Sequence, residues 1–250
     1  MFKKIVAVYF SATGNTKTYI EAMAKASGLP TEFVDVTTMH TAPEVVCGED
    51  DLLLLGAPDY SGRIPHLAAE RFAKLQGNGA KAVLVVSFGN RAVDDAFVEM
   101  EDIVKEKDFT IIGAAGLVAR HTFGEIAVDR PSDADIKAAA DFIENVLEKE
   151  NMDAIALPGN RPYKDGGKGG KWRPETTEDC VQCGLCVKNC PAHAIAADCK
   201  TVDDSLCISC FRCVRNCPKG AKQVTTEAYK EFAAMLNQKL AARQENEFYL

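Results

Sequence analysis

The chain of 250 residues lacks any run of 18 or more apolar residues, which excludes a helix able to span a bilayer. It has neither Gly-x-Gly-x-x-Gly nor Gly-x4-Gly-Lys, so the dinucleotide fingerprint and the nucleoside-triphosphate loop are both absent. Positive charge is in the minority. Lys and Arg number 29 against 36 Asp and Glu, and a net charge of −7 argues against nucleic acid as a partner. That balance suits docking on a basic patch of another protein, or is simply that of a soluble surface. Nothing suggests export either. The start, Met1 to Phe10, has a charged-then-apolar order, but the apolar part is too short for a signal and Ser11-Ala12-Thr13-Gly14 follows. It reads as a buried first strand, and the chain is expected in the cytoplasm, where thiols stay reduced.

Cysteine is abundant by contrast. Cys180-x2-Cys183-x2-Cys186-x3-Cys190-Pro191 recurs as Cys207-x2-Cys210-x2-Cys213-x3-Cys217-Pro218, each position displaced by 27 residues. Three close cysteines can wrap one face of a cube and a distant fourth closes the cage, which is the bacterial-type pattern for two [4Fe–4S] clusters. The two prolines fix the chain's exit by locking φ. Zinc usually takes two separated Cys pairs, so it suits these runs less well. Disulfides would need an oxidising compartment. Over roughly 175–225 the chain resembles the two-cluster ferredoxins. That resemblance implies Cys180, Cys183, Cys186 and Cys217 around one cluster, and Cys207, Cys210, Cys213 and Cys190 around the other.

The first 150 residues alternate strand and helix. Apolar runs at 3–10, 51–56, 81–87 and 109–119, with a weaker one at 32–36, predict strands. Helical spacing covers 17–26, 65–76, 94–107 and 133–150. This order predicts an α/β, doubly wound parallel sheet. Between the first strand and helix lies Ser11-Ala12-Thr13-Gly14-Asn15-Thr16. Free N–H groups at a helix start, three hydroxyls and a permissive glycine make a site for a phosphate dianion. A plain N-cap by Ser11 or Thr13 is the other reading.

This loop closely resembles the phosphate loop of flavodoxins. The resemblance implies FMN as a cofactor and a five-stranded sheet of order 2-1-3-4-5, with the ligand at the switch point. Two further loops then belong to the site. Pro58, Asp59, Tyr60, Ser61 and Gly62 follow the third strand. Tyr60 is placed either to stack on the isoalloxazine or as an ordinary loop aromatic, and the Ser61-Gly62 peptide could turn to meet flavin N5. Ser87, Phe88, Gly89, Asn90, Arg91 and Asp95 follow or lie near the end of the fourth strand, with Gly89 and Asn90 offering backbone donors. Arg63 and Arg91 form either a lip over the flavin or solvated charges. Asp95 caps the next helix, or meets the flavin as an acidic residue does in the resembling family. The pattern of Tyr60-x-Gly62-Arg63-x-Pro65 and Gly89-Asn90-Arg91 resembles a bacterial family in which a flavodoxin-like domain is fused to a C-terminal ferredoxin. This resemblance covers nearly the whole chain.

The rest is organised around those two parts. Residues 151–174, rich in Gly, Pro and basic side chains, form a linker that either wraps the first domain or runs free. Residues 226–250 form a helix with Tyr229, Phe232, Leu236 and Leu240 on one side, packing back on the first domain or meeting a partner. The connection around His121 either ties down the second domain or acts as a lid, with His121 as proton donor. Cys199 and Cys47 fit neither cluster motif. Two cubes and FMN define an intracellular electron carrier joining a low-potential redox protein to an acceptor. The alternative is an FMN-dependent reductase of a small acceptor such as a quinone. A third reading makes the clusters a structural docking module. A homodimer would be needed if cluster and flavin stood too far apart in one chain.

Overall fold

The computed structural model describes residues 2–250. Four of its strands are apolar almost without interruption: β1 Lys4–Tyr9, β3 Asp51–Pro58, β4 Lys81–Phe88 and β5 Thr110–Val118. A parallel strand covered on both faces reads this way, because consecutive side chains point to opposite sides. Ile5, Ala7 and Tyr9 join Leu52, Leu54, Val83 and Val85 in one buried layer, while Val6, Val8 and Phe10 join Leu53, Leu55, Leu84 and Val86 in the other. The weaker β2, Thr31–Asp35, is an edge strand with Phe33 exposed.

Helices α1 (Asn15–Ala26) and α4 (Asp133–Glu148) cover one face through Tyr19, Ile20, Met23, Phe142, Ile143 and Val146. Helices α2 (His66–Phe72) and α3 (Ala96–Lys105) cover the other through Ala68, Phe72, Phe97, Met100 and Val104. Ser132 and Asp135 form a capping box at the start of α4, and Arg130 makes a buried ion pair with Asp135. The α2 helix stops short of residue 76 because Leu75–Gln76 pairs in parallel with Val45–Val46.

The sheet has six strands, and with Glu247–Tyr249 as β6 their order is β6-β5-β4-β3-β1-β2. The sixth, β6 Glu247–Tyr249, lies antiparallel to β5 with Phe248 opposite Ala115. A five-stranded sheet was expected, and a helix over 226–250. The helix α7 instead runs only from Glu227 to Lys239, and the chain returns to pair the edge that β5 would otherwise leave open. Tyr249 meets Phe97 edge to face on one side of the sheet, and Phe248 stacks on Phe142 on the other.

Of residues 151–174, the stretch from Ile155 to Gly167 lies on the first domain, while Gly170, Trp172 and Arg173 bond to Ser209 and Asp204 of the cysteine-rich part. Ile155 donates to Ile111 O, Arg161 pairs with Glu101 and Asp102, and Gly167 N donates to Tyr60 O at 2.9 Å. Beyond it, Glu175–Thr176 pairs antiparallel with Lys222–Gln223. Two single-turn helices, α5 Leu185–Lys188 and α6 Arg212–Arg215, each carry the third cysteine of a triplet, Cys186 and Cys213. Ile208 and Cys210 belong to the same buried layer as Phe10, Phe72 and Phe88, so the cysteine-rich part packs directly on the sheet. Among the described residues no helix is long and apolar enough to cross a membrane.

Candidate functional site

The eight motif cysteines divide between two voids. Cys180, Cys183, Cys186 and Cys217 line one, and Cys190, Cys207, Cys210 and Cys213 line the other. Each set thus takes three ligands from one motif and the fourth from the other. Among the described residues no three His, Cys, Asp or Glu side chains converge closely enough to hold a single ion. The thiols ring a volume instead, which suits a polynuclear group better than zinc. Burial pushes the Cys210 thiol up and the Cys213 thiol up to about 12. As thiolates they would need a counter-charge inside the ring, which an iron–sulfur core would supply.

The first void is the outer one. Cys183 is exposed, as are Val181 and Leu185 beside it. The second is inner, with Cys210 and Ile208 buried against the sheet. Cys199, which fits neither motif, is buried on the wall of the outer void.

A cavity of about 430 Å³ opens at the C-terminal ends of β1, β3 and β4. Its floor is the loop before α1. Gly14 at the N-cap has φ 95°, a conformation glycine adopts freely. Ser11 N donates to Thr37 Oγ1, Lys17 N donates to Ser11 Oγ, and Thr16 Oγ1 lies 2.7 Å from Ser87 Oγ. The N–H groups of residues 12–16 find no acceptor among the described residues. No acid occupies the first turn of α1. Open donors at a helix start with no acid nearby fit a phosphate.

Of the sequence-predicted residues, Ser11, Ala12, Thr13, Asn15, Thr16, Pro58, Asp59, Tyr60, Ser61, Ser87, Phe88, Gly89 and Arg91 line this cavity, and Gly14, Gly62, Asn90 and Asp95 do not. Asn90 N donates to Phe88 O, and its side chain holds the C-terminal tail through Leu240 O, Ala242 O and Gln244 N. Asp95 stands at the N-cap of α3 without capping it by its side chain. Its carboxylate instead accepts from Asn160 and from Lys164 N. Arg63 forms a two-pronged pair with Glu99 at 2.7 Å and so braces the loop after β3. Gly62 is pressed by Lys164, since an added Cβ would lie 2.3 Å from its Cδ.

Asp59 is the unusual charge of the cavity wall. Its side chain is 7% exposed, Arg91 approaches one oxygen at 3.5 Å, and Oδ2 has no partner among the described residues. Burial pushes the carboxyl up to about 7, with Arg91 pulling against it and Asp94 adding to it. Burial pushes the Tyr60 phenol well above its ordinary value, and the Cys210 and Cys207 thiols beyond it act the same way. His121 lines the cavity, and burial lowers its imidazole against the opposing effect of the Phe123 backbone.

Sequence reasoning missed the other wall. Gly169, Gly170, Lys171 and Trp172 of the linker, Ile208 and Ser209 of the second motif, and Phe232 and Leu236 of α7 close the cavity. Trp172, Phe123, Phe211, Tyr229 and Phe232 form one cluster of rings with centroids 5.0–6.3 Å apart. The stripe Tyr229, Phe232 and Leu236 was the available signal for part of this. Nothing in the linker's composition showed Trp172 turned inward.

Residues 176–196 match the 4Fe-4S binding domain family. No curated protein matches the chain. Among solved structures the chain is similar to a flavodoxin from the domain Archaea, at 15% identity over 58% of this chain and 99% of that one, with a TM-score of 0.40. It is also similar to oxidised flavodoxin 2 from Bacillus cereus, at 17% identity over 58% and 98%, with a TM-score of 0.44. A third is a flavodoxin mutant from Fusobacterium nucleatum bound to flavin mononucleotide, at 14% identity over 59% and 97%, with a TM-score of 0.42.

Proposed function

We propose that the chain carries electrons between two [4Fe–4S] clusters and FMN, joining a low-potential redox protein to an acceptor. The clusters supply one-electron chemistry and FMN one- or two-electron chemistry. Cys180, Cys183, Cys186 and Cys217 hold the outer cluster, and Cys190, Cys207, Cys210 and Cys213 the inner one. The loop at Ser11–Thr16 binds the phosphate of FMN, and Tyr60 flanks the ring. In this reading the FMN domain spans 1–150, the linker 151–174 and the cluster domain 175–225, with 226–250 returning as helix and edge strand.

The observation that carries the reading is the position of Ile208 and Ser209. They stand between Cys207 and Cys210, and they line both the inner void and the cavity. This shared wall supports a single layer of chain between an inner cluster and the flavin, and hence a path within one protomer. The rings of Tyr60, Trp172, Phe123 and Phe232 around the cavity favour a carrier over a reductase that needs an open flavin face.

The test is anaerobic stepwise reduction of the reconstituted protein, followed by visible absorbance and EPR in the same samples. Flavin and cluster signals that equilibrate at every step are expected. Flavin that stays oxidised for many minutes beside fully reduced clusters overturns the reading.

A further inference from the structure

The 27-residue repeat continues past the cysteines into the backbone. Gln182 and Ser209, Gly184 and Phe211, and His193 and Gly220 are pairs at that offset, and all six have φ between 50° and 75°. The helices α5 and α6 are equivalent. Ala194 N donates to Cys190 Sγ at 3.4 Å, and its counterpart Ala221 N donates to Cys217 Sγ at 3.3 Å.

The next residue breaks the match. After Ala194 stands Ile195, 6% exposed on the wall of the inner void, while after Ala221 stands Lys222, 2% exposed on the wall of the outer void. The Lys222 Nζ has no hydrogen-bond partner among the described residues. An ammonium buried alone is costly, so this position calls for negative charge facing it. No acidic side chain is paired with it among the described ion pairs, and Asp198, within reach of its charge, is engaged with Thr201 and Lys200 N. The charge of Lys222 reaches one cysteine of each set, Cys186 and Cys213, where it opposes the burial that raises both thiols.

We infer that Lys222 is the fixed counter-charge of the two-cluster centre, making the outer cluster the easier of the two to reduce. The inference rests on the two-cluster reading above. A cubane held by four thiolates is an anion that becomes more negative on taking an electron, so a buried cation at its wall favours the reduced form. The inner cluster has Ile195 at the equivalent position, and Lys222, whose charge also reaches Cys213, does not line its wall. One residue thus makes two repeated surroundings unequal. An arriving electron rests on the outer cluster, beside exposed Cys183, and the inner cluster is the higher step between it and the cavity.

The test uses the full chain with both clusters, its iron content measured first, and both cluster midpoints followed by EPR-monitored redox titration. Three variants are compared with the wild type: Lys222→Met, which keeps the length and removes the charge; Lys222→Arg, which keeps the charge; and Ile195→Lys, which supplies the charge at the inner position. Lys222→Met is expected to change the electron's partition between the clusters at least tenfold toward the inner one, about 59 mV for a one-electron couple. Lys222→Arg stays near the wild type, and Ile195→Lys moves the partition in the same direction as Lys222→Met by raising the inner midpoint. If Lys222→Met loses the outer cluster, Ile195→Lys decides alone, and an inner midpoint unchanged from the wild type overturns the role. Midpoints in Lys222→Met that match the wild type at full iron content overturn it. A wild type that takes up fewer than two [4Fe–4S] clusters overturns the two-cluster reading itself.

Discussion

Arg212, between Cys210 and Cys213, donates from Nη1 to the carbonyl oxygens of Ser11 and Ala12 at 3.1 and 2.7 Å. The same single-turn helix that carries a thiol of the inner set therefore grips the start of the Ser11–Thr16 loop. Its other end does likewise, since Arg215 donates to His121 O and Thr122 O on the far wall of the cavity. Placement of the inner cysteines and the shape of the cavity are thus mechanically joined. Hydrogen bonds from a charged donor contribute about 1.5–3 kcal/mol each. Replacing Arg212 by Met is expected to weaken FMN binding by about tenfold or more, read as flavin fluorescence during titration, with iron content unchanged. Equal affinity in the two proteins refutes the coupling.

Asn90 makes the corresponding link to the C-terminal tail. Its amide donates to Leu240 O at 2.8 Å and to Ala242 O at 2.9 Å, and its oxygen accepts from Gln244 N at 2.9 Å. The side chain is buried, so Asn90→Ala leaves three backbone groups without their partner. Each such loss costs about 1–3 kcal/mol. The expected result is loss of amide-exchange protection in Glu247–Tyr249 and a stability lower by at least about 3 kcal/mol. Unchanged protection of that strand counts against the link.

The two residues also show where the sequence was readable. The central strands were legible because burial on both faces leaves an unbroken apolar run, as in Leu52–Leu55. The cysteine spacing was legible because it repeats. The strand at Glu247–Tyr249 was not, because three residues at a sheet edge carry no periodicity. Asn90 was expected to offer a backbone donor on its place after a strand, and its side chain's partner 150 residues away left no local signal. Lys222 was visible in the 27-residue register as a departure from Ile195, and only its burial gives that departure meaning.

Cys199 tests whether the ligand sets are closed. It is 2% exposed and lines the outer void with the four motif cysteines of that set. Its Sγ faces Ala197 O at 3.8 Å, and its carbonyl accepts from Thr176 Oγ1. A cubane has four irons and each takes one protein thiolate, so the fifth cysteine is surplus. Cys199→Ser is expected to keep wild-type iron and sulfide content and the same EPR spectrum. Cys183→Ser is expected to lose or alter the outer cluster while sparing the inner one. A loss of iron on Cys199→Ser would falsify the assignment of Cys180, Cys183, Cys186 and Cys217.

Asp59 gives the protein a pH dependence of definite sign. Burial holds its carboxyl at about 7 in the folded chain, against about 3.9 in an unfolded one. Between those values the folded state binds the extra proton, so stability falls as pH rises. The contribution is fully present below about pH 4 and is lost as pH passes through about 7. From pH 5.5 to pH 8 the change is about 2 kcal/mol at most, at 1.36 kcal/mol per unit. Arg91 at 3.5 Å reduces the penalty of the charged form without removing it, because Oδ2 stays unpartnered among the described residues. Asp59→Asn keeps the shape and removes the titration. In the flavin-free protein the variant is expected to gain on the wild type in anaerobic urea unfolding as pH rises over this range. Two parallel stability profiles from pH 5.5 to pH 8 would show that the carboxyl is ionised throughout.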